Sequence, residues 1–216
     1  MRVLDLGRRP YRETLALMRD LHAAVARDDA AATLIVVEHD PVVTLGRNAK
    51  AANVRLSREA LAARDIDLVE IERGGDATYH GPGQLVVYPI RKLERFREVA
   101  PLVSALERAV VATLATFGIA AAGRGEHRGV YVGSNAICAI GLAVKQMTSL
   151  HGLALNVSTA LDYDRLITPC GTPEFGITSM SRELGRDIAV DVVRQPLLDA
   201  LASEFGVSLA REVAPC

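Results

Sequence analysis

Residues 73–84 read Arg-Gly-Gly-Asp-Ala-Thr-Tyr-His-Gly-Pro-Gly-Gln. Four glycines and a proline in twelve residues exclude a regular helix over this stretch. An ordinary surface turn has no need of Arg73, Thr78, Tyr79 and His80 set among the glycines. Glycine lets backbone approach a ligand closely and reach positive φ. The side chains between offer a charge, a hydroxyl, a phenol and an imidazole. Apolar runs flank the segment, Leu68-Val69-Glu70-Ile71 before it and Leu85-Val86-Val87-Tyr88-Pro89-Ile90 after it. It reads as a binding loop held between two strands, where function often sits. It matches neither the P-loop pattern nor the dinucleotide fingerprint. Strand sequence follows it, so no helix N-terminus would face a phosphate. That weakens a nucleotide reading without removing it.

The rest of the chain alternates strand and helix signals. Residues 2–6 read as a short strand. Leu15, Met18, Leu21 and Val25 recur at helical spacing and predict a helix over Tyr11–Arg27. Leu34–Val37 and Val42–Leu45 read as strands, and Ser57 as the N-cap of a short helix. A long helix is expected over Pro101–Phe117. Gly129–Gly133 and Ile137–Val144 read as a hairpin turning at Gly133-Ser134-Asn135. Leu153–Val157 is a further strand, and Val190–Phe205 a last helix ending at Gly206. The pattern predicts an α/β or α+β fold, a mixed sheet flanked by helices. The 216 residues suit one domain, with a possible small C-terminal subdomain from about Thr178.

Half the residues are apolar and 24% are charged, as in soluble globular proteins. The net charge of −1 gives no basic footprint for nucleic acid. No apolar run stands out as approaching the ~18 residues of a membrane helix, and the first residues lack the apolar core of a signal peptide. Cys138, Cys170 and Cys216 are an odd, sparse set. They argue against a disulfide framework and for a reducing cytoplasm.

Cys170 lies in Ile-Thr-Pro-Cys-Gly-Thr-Pro, residues 167–173, a rigid loop rather than core filler. Such a thiol is either a nucleophile near cationic or imidazole partners, or a structural loop cysteine. Cys138 sits in an apolar strand and reads as a small core residue. His80 and His151 each precede a glycine. Each can move or orient a proton, or simply bond a strand-end carbonyl. No H-x-x-x-H or C-x-x-C spacing points to a metal.

Three blocks together resemble the lipoyl(octanoyl) transferases. They are Arg73–Gln84 with Tyr88-Pro89-Ile90, Gly129–Val132 through Ala139-Ile140-Gly141, and His151-Gly-Leu-Ala-Leu-Asn156 followed by Pro169-Cys170-Gly171. Glu38–Pro41 and Thr44–Arg47 also resemble that family's N-terminal block. The similarity runs from about residue 3 to 208. It implies the fold of lipoate and biotin protein ligase catalytic domains. It also implies transfer of octanoate from octanoyl-acyl carrier protein to a lysine of a lipoyl domain, with no ATP and no metal. The acceptors implied are the lipoyl domains of 2-oxoacid dehydrogenase complexes and the glycine cleavage H protein; a cytoplasmic monomer is expected. The matching positions make Cys170 the acyl-thioester nucleophile. They make Arg73, Gly74, Gly75, Asp76, Ala77, Thr78, Tyr79, His80, Ala139, Ile140, Gly141, Gly152, Leu153 and Ala154 substrate-binding, with His151 in support.

One position departs from the family. The lysine that lowers the thiol pKa and shuttles protons is replaced here by Ala136. Three explanations stand: an introduced Lys→Ala replacement, takeover by Lys145, or a natural homologue without activity. The resemblance therefore implies substrate binding with slow turnover or none. An ATP-dependent lipoate or biotin ligase and a non-catalytic acyl- or carrier-binding module are the competing functions.

Overall fold

The computed structural model describes residues 1–124, 127–167 and 176–213. Cys170 and Cys216 lie outside the described residues. In chain order the elements are β1 (Arg2–Arg9), α1 (Tyr11–Ala26), β2 (Thr33–His39), β3 (Val42–Leu45), α2 (Arg58–Ala62), β4 (Asp67–Glu70), β5 (Ala77–His80), β6 (Gln84–Ile90) and α3 (Val99–Thr116). Then come β7 (Ala122–Arg124), β8 (His127–Val132), β9 (Asn135–Lys145), β10 (Thr148–Asn156), β11 (Gly176–Ile177), α4 (Met180–Leu184), α5 (Val190–Phe205) and β12 (Ala210–Val213).

The large sheet has the order β12-β1-β2-β6-β10-β9-β8-β7, with β11 beside β9. It is mixed: β1 runs parallel to both its neighbours, while β2, β6, β10 and β9 pair antiparallel in turn. A small sheet, β4-β3-β5, stands beside it. All seven residues of β6 are buried, as expected for a strand covered on both faces. The period of two sorts them. Leu85 and Val87 join the core under α3 and α5, while Val86, Tyr88 and Ile90 face Met18 and Val25 of α1. In β2, Leu34 and Val36 go one way and Ile35 and Val37 the other.

The helix ends follow local chemistry. Ser57 Oγ accepts from the Ala60 amide at 3.2 Å and starts α2. Gly206, at φ +63°, closes α5.

Three details add to the sequence expectation. Met180, Val193, Leu197 and Leu201, in the segment after Thr178, join Leu106 and Val110 of α3 in one core cluster. That segment's last strand, β12, pairs with β1. The stretch Phe96–Thr116 has mean hydropathy 1.4 and is long and apolar enough to cross a membrane. Leu102, Leu106, Val110 and Leu114 are nevertheless buried against the sheet and α5. Finally, Ala77–His80 of the glycine segment forms a strand itself, antiparallel to β3. The segment therefore bridges the two sheets, rather than linking neighbours in one.

Candidate functional site

A cleft of about 430 Å³ opens where the small sheet meets the large one. Its walls include residues 73–78 and His80, Ala139–Gly141 of β9, and His151–Ala154 of β10. Of the residues expected to bind substrate, all of them described, only Tyr79 is turned away. It lines an adjoining cavity of about 30 Å³ and stacks on Tyr163, ring centres 4.8 Å apart. Ala77, Thr78, Ala139 and Ala154 are walls of both spaces, so the two adjoin.

The glycine segment is held by backbone and by its own arginine. The Gly74 amide donates to Leu142 O of β9 at 2.9 Å, tying the small sheet to the large one. The Arg47 and Asn48 amides donate to Arg73 O and Gly75 O, at 3.0 and 3.1 Å. Arg73, only 6% exposed, donates to Gly74 O at 3.0 Å and to Thr44 O and Oγ1 at 2.9 and 3.0 Å. Its guanidinium thus braces the loop. Asp76 accepts from the Ala77 and Lys50 amides and from the Asn53 side chain, and so pins residues 50–53 across the loop.

Close packing here requires glycine. A Cβ at Gly46 would fall 2.4 Å from Gly75 O. Gly141 and Gly152 pair directly across β9 and β10. A Cβ on Gly141 would meet Arg73 Cδ at 3.0 Å, and one on Gly152 would meet Val87 O at 2.1 Å.

Three histidines lie beneath or beside the cleft, all buried. His80 Nδ1 is 2.7 Å from Gln84 Oε1. Gln84 Nε2 donates to Tyr79 O and Asn156 Oδ1, so its oxygen must accept and His80 Nδ1 carries the proton. Asn156 continues the chain to the Tyr163 hydroxyl and Thr178 O. Burial first, then neighbouring His39, pushes the His80 pKa well below its ordinary value. His39 Nδ1 donates to Arg9 O at 3.1 Å, and its Nε2 accepts from the Tyr88 hydroxyl at 2.9 Å. Burial lowers its pKa to about 4. Tyr11 stacks on His80 with ring centres 5.8 Å apart. Neither His39 nor Tyr11 stands out in the sequence. Their partners come from four separate elements, and no local pattern announces them.

His151 adopts φ +62° within β10, a strained conformation for a residue with a Cβ. Its amide donates to Met18 Sδ at 3.3 Å. Its Nε2 stands 3.6 Å from Glu72 Oε2, beyond hydrogen-bond range but within Coulombic reach, and burial lowers its pKa. Glu72, also missed in the sequence, pairs with Arg19 at 3.0 Å and Lys145 at 3.4 Å. The imidazole of His151 first, and Arg19 after it, holds the Glu72 carboxyl far below the usual range.

Lys145 ends β9, nine positions from Ala136. At ~3.3 Å per residue that is about 30 Å, so its ammonium cannot serve that position. Ala136 is half-buried and forms one wall of the small cavity; its carbonyl accepts from the Thr178 amide at 2.9 Å. Buried Cys138 lines the same cavity, and burial pushes its thiol pKa far up, an inert core setting. The chain on either side of Cys170 is described as far as Ile167 and again from Gly176. Ile167 and Ile177 both stand on the small cavity with Ala136.

The family described as the lipoyl protein ligase A/B catalytic domain matches residues 10–202. An octanoyltransferase of Syntrophobacter fumaroxidans is 42% identical over 196 residues, covering 90% of this chain and 86% of its own. One from Alkaliphilus metalliredigens is 39% identical over 215 residues, covering 99% of each. Among solved structures, a lipoate-protein ligase A bound with ATP superimposes with a TM-score of 0.81 at 20% identity, over 99% of this chain and 89% of its own. At that identity the likeness shows a shared fold.

Proposed function

The chain belongs to the octanoyltransferase family, and from that premise we propose that it carries octanoate from an acyl-carrier thioester to a lipoyl-domain lysine through Cys170. Octanoyl transfer in lipoylation is the family's chemistry. What supports the finer reading is one observation. The segments 73–78, 139–141 and 152–154 wall a single cleft, which adjoins the small cavity where Ile167 and Ile177 flank the Cys170 segment.

The proposed reaction has two steps. The Cys170 thiolate attacks the thioester carbonyl; the carrier sulfur leaves and takes a proton. A neutral lysine amine then attacks the acyl-Cys170 carbonyl. The amide forms, the amine sheds its proton, and the thiol is restored. Thioester-to-amide transfer is downhill, so the reading calls for neither ATP nor a metal. Backbone N–H groups of the glycine-rich walls are suited to receive the oxyanion of each step. Seven chain methylene and methyl groups at ~0.8 kcal/mol each make tail burial worth roughly 5–6 kcal/mol before costs. Ala136 leaves the proton-handling position without an ionisable group, so binding is retained and turnover is slow.

Intact mass after incubation with octanoyl-carrier tests this reading. One octanoyl adduct is expected, and it should vanish in Cys170→Ser. No adduct on the unaltered chain would overturn the thioester route. Ala136 also favours a second reading, an acyl- or carrier-binding protein without chemistry. That reading predicts saturable binding of octanoyl-carrier and no adduct at any time.

A further inference from the structure

The cleft is larger and more polar than an octanoyl tail needs. Taking the ~30 Å³ share of a water molecule for each carbon, eight carbons fill about 240 Å³. The cleft holds about 430 Å³ and is lined by Arg47, Asn48, Thr78 and Arg128 as well as by the glycines. Two of these side chains are unlike the other arginines around the site. Arg19 is paired with Glu72, Arg8 with Asp40, and Arg73 is folded onto Thr44 and Gly74. Arg47 and Arg128 are exposed at the rim. Among the described residues, neither guanidinium has a hydrogen-bond or ion-pair partner. The carboxylate of the same wall, Asp76, is engaged by the Ala77 and Lys50 amides and by Asn53.

The two arginines enter from different sheets. Arg47 follows β3, and its amide is fixed on Arg73 O. Arg128 is on β8, next to Gly129, which pairs with Ala139. That sets Arg128 level with Ile140, four positions along β9 from Ala136, or ~13 Å at ~3.3 Å per residue.

We propose that Arg47 and Arg128 form a phosphate-binding rim for the phosphopantetheine arm of the acyl donor. This rests on the carrier-thioester reading above. The arm counts about thirteen bonds from sulfur to phosphorus, as many as a little over four extended residues, or ~15 Å. With the thioester at Ala136, the phosphodiester reaches the level of Arg128. The arm, larger than the volume the acyl tail leaves over, runs along the open polar mouth of the cleft. Guanidinium is suited to this task, because its fork of donors matches a phosphate in two-point contact.

The test uses binding, so slow turnover does not obscure it. Two non-transferable ligands are made with the thioester replaced by an amide: octanoyl-phosphopantetheine and octanoyl-pantetheine. A third is the same amide on the intact carrier. Kd is measured by calorimetry for the unaltered chain, Arg47→Ala, Arg128→Ala and the double variant, with thermal midpoints confirming that each folds. The phosphate-bearing ligand should bind at least tenfold tighter to the unaltered chain, an advantage that shrinks with added salt. Each single variant should lose roughly five- to tenfold for that ligand and nothing for octanoyl-pantetheine. The double variant should bind the two alike. Equal Kd values for the two small ligands on the unaltered chain overturn the rim and leave the octanoyl reading standing. An arginine effect seen only with the intact carrier overturns it too, assigning these residues to the carrier surface. Failure to bind any of the three defeats the octanoyl reading itself.

Discussion

Ala136→Lys should raise octanoyl transfer, and the size and pH dependence of the gain identify what the lysine does. Ala136 is half-buried on β9, against a cavity of about 30 Å³. A lysine stem there would lie along the cavity that Ala136 shares with Ile167 and Ile177, the two residues flanking the Cys170 segment. The ammonium then has two ways to help. If it lowers the thiol pKa from ~8.5 to ~6.5, the thiolate fraction at pH 7 rises from ~3% to ~76%, about 25-fold. A less basic thiolate is also a poorer nucleophile. With a Brønsted slope of ~0.45, two pKa units cost about eightfold. Thiol activation alone is therefore worth only about threefold. Proton transfer to and from the lipoyl-domain amine is worth ~10²–10⁴.

The expectation is thus about threefold faster acylation of Cys170 and at least a hundredfold faster amide formation. Rapid-quench intact mass resolves the two steps at pH 7 and pH 9.5. At pH 9.5 an ordinary thiol is already ionised, so only the Brønsted cost remains and the lysine variant should acylate roughly sevenfold more slowly. If a folded lysine variant shows its whole gain in acylation, and loses it at pH 9.5, proton handling is not what Ala136 lacks. If it shows no gain in either step, the position assignment itself fails.

Other outcomes follow from the same geometry. Lys145→Ala should leave transfer unchanged and cost under about 0.5 kcal/mol, because its pair with Glu72 is solvent-exposed and Arg19 also holds that carboxylate; a tenfold drop in rate would bring Lys145 into the site after all. Gly152→Ala places a Cβ 2.1 Å from Val87 O on a paired strand, and should cost at least about 3 kcal/mol, lowering the melting midpoint by roughly 6–12 °C. Gly118→Ala meets open space at φ +79° and should cost only about 1–2 kcal/mol; equal losses for the two variants would refute the packing argument. His39 is held at about pKa 4 when folded and titrates near 6.5 when unfolded, so its contribution is complete above pH 6.5 and lost as pH falls towards 4. Urea unfolding should show at least about 2 kcal/mol less stability at pH 5 than at pH 7.5, with buried His80 and His151 adding to the loss in the same direction, and a flat profile over that range would contradict the burial of neutral imidazoles.

The fold was legible wherever a periodicity is local. In β2 and β6 apolar residues run continuously, which marks strands covered on both faces, and the structure covers them with α1 on one side and α3 and α5 on the other. Ser57 and Gly206 announced their caps through backbone chemistry carried by one residue. Short strands were not legible. β7, β11 and β12 have two to four residues each, and their partners decide them, not their own sequence. His151 hid the start of β10 for a related reason: it breaks strand dihedrals at φ +62° while the ladder continues on either side.

The cleft divides along the same line. Its glycines stood out because each close approach needs one: Gly46 against Gly75, Gly141 against Arg73, Gly152 against Val87. A missing side chain is a local signal with a tertiary cause. The polar groups under the cleft carry no such mark. Arg73 reads as a ligand-binding charge in sequence, yet its guanidinium is spent on Thr44 and Gly74. Glu72 reads as an ordinary surface acid, yet it gathers His151, Arg19 and Lys145. The difference is one of burial. A charged group taken out of water must find partners, and these lie tens of residues away in the chain. So the glycine pattern locates the cleft, while the charges left without partners at its rim, Arg47 and Arg128, are what remains available to a ligand.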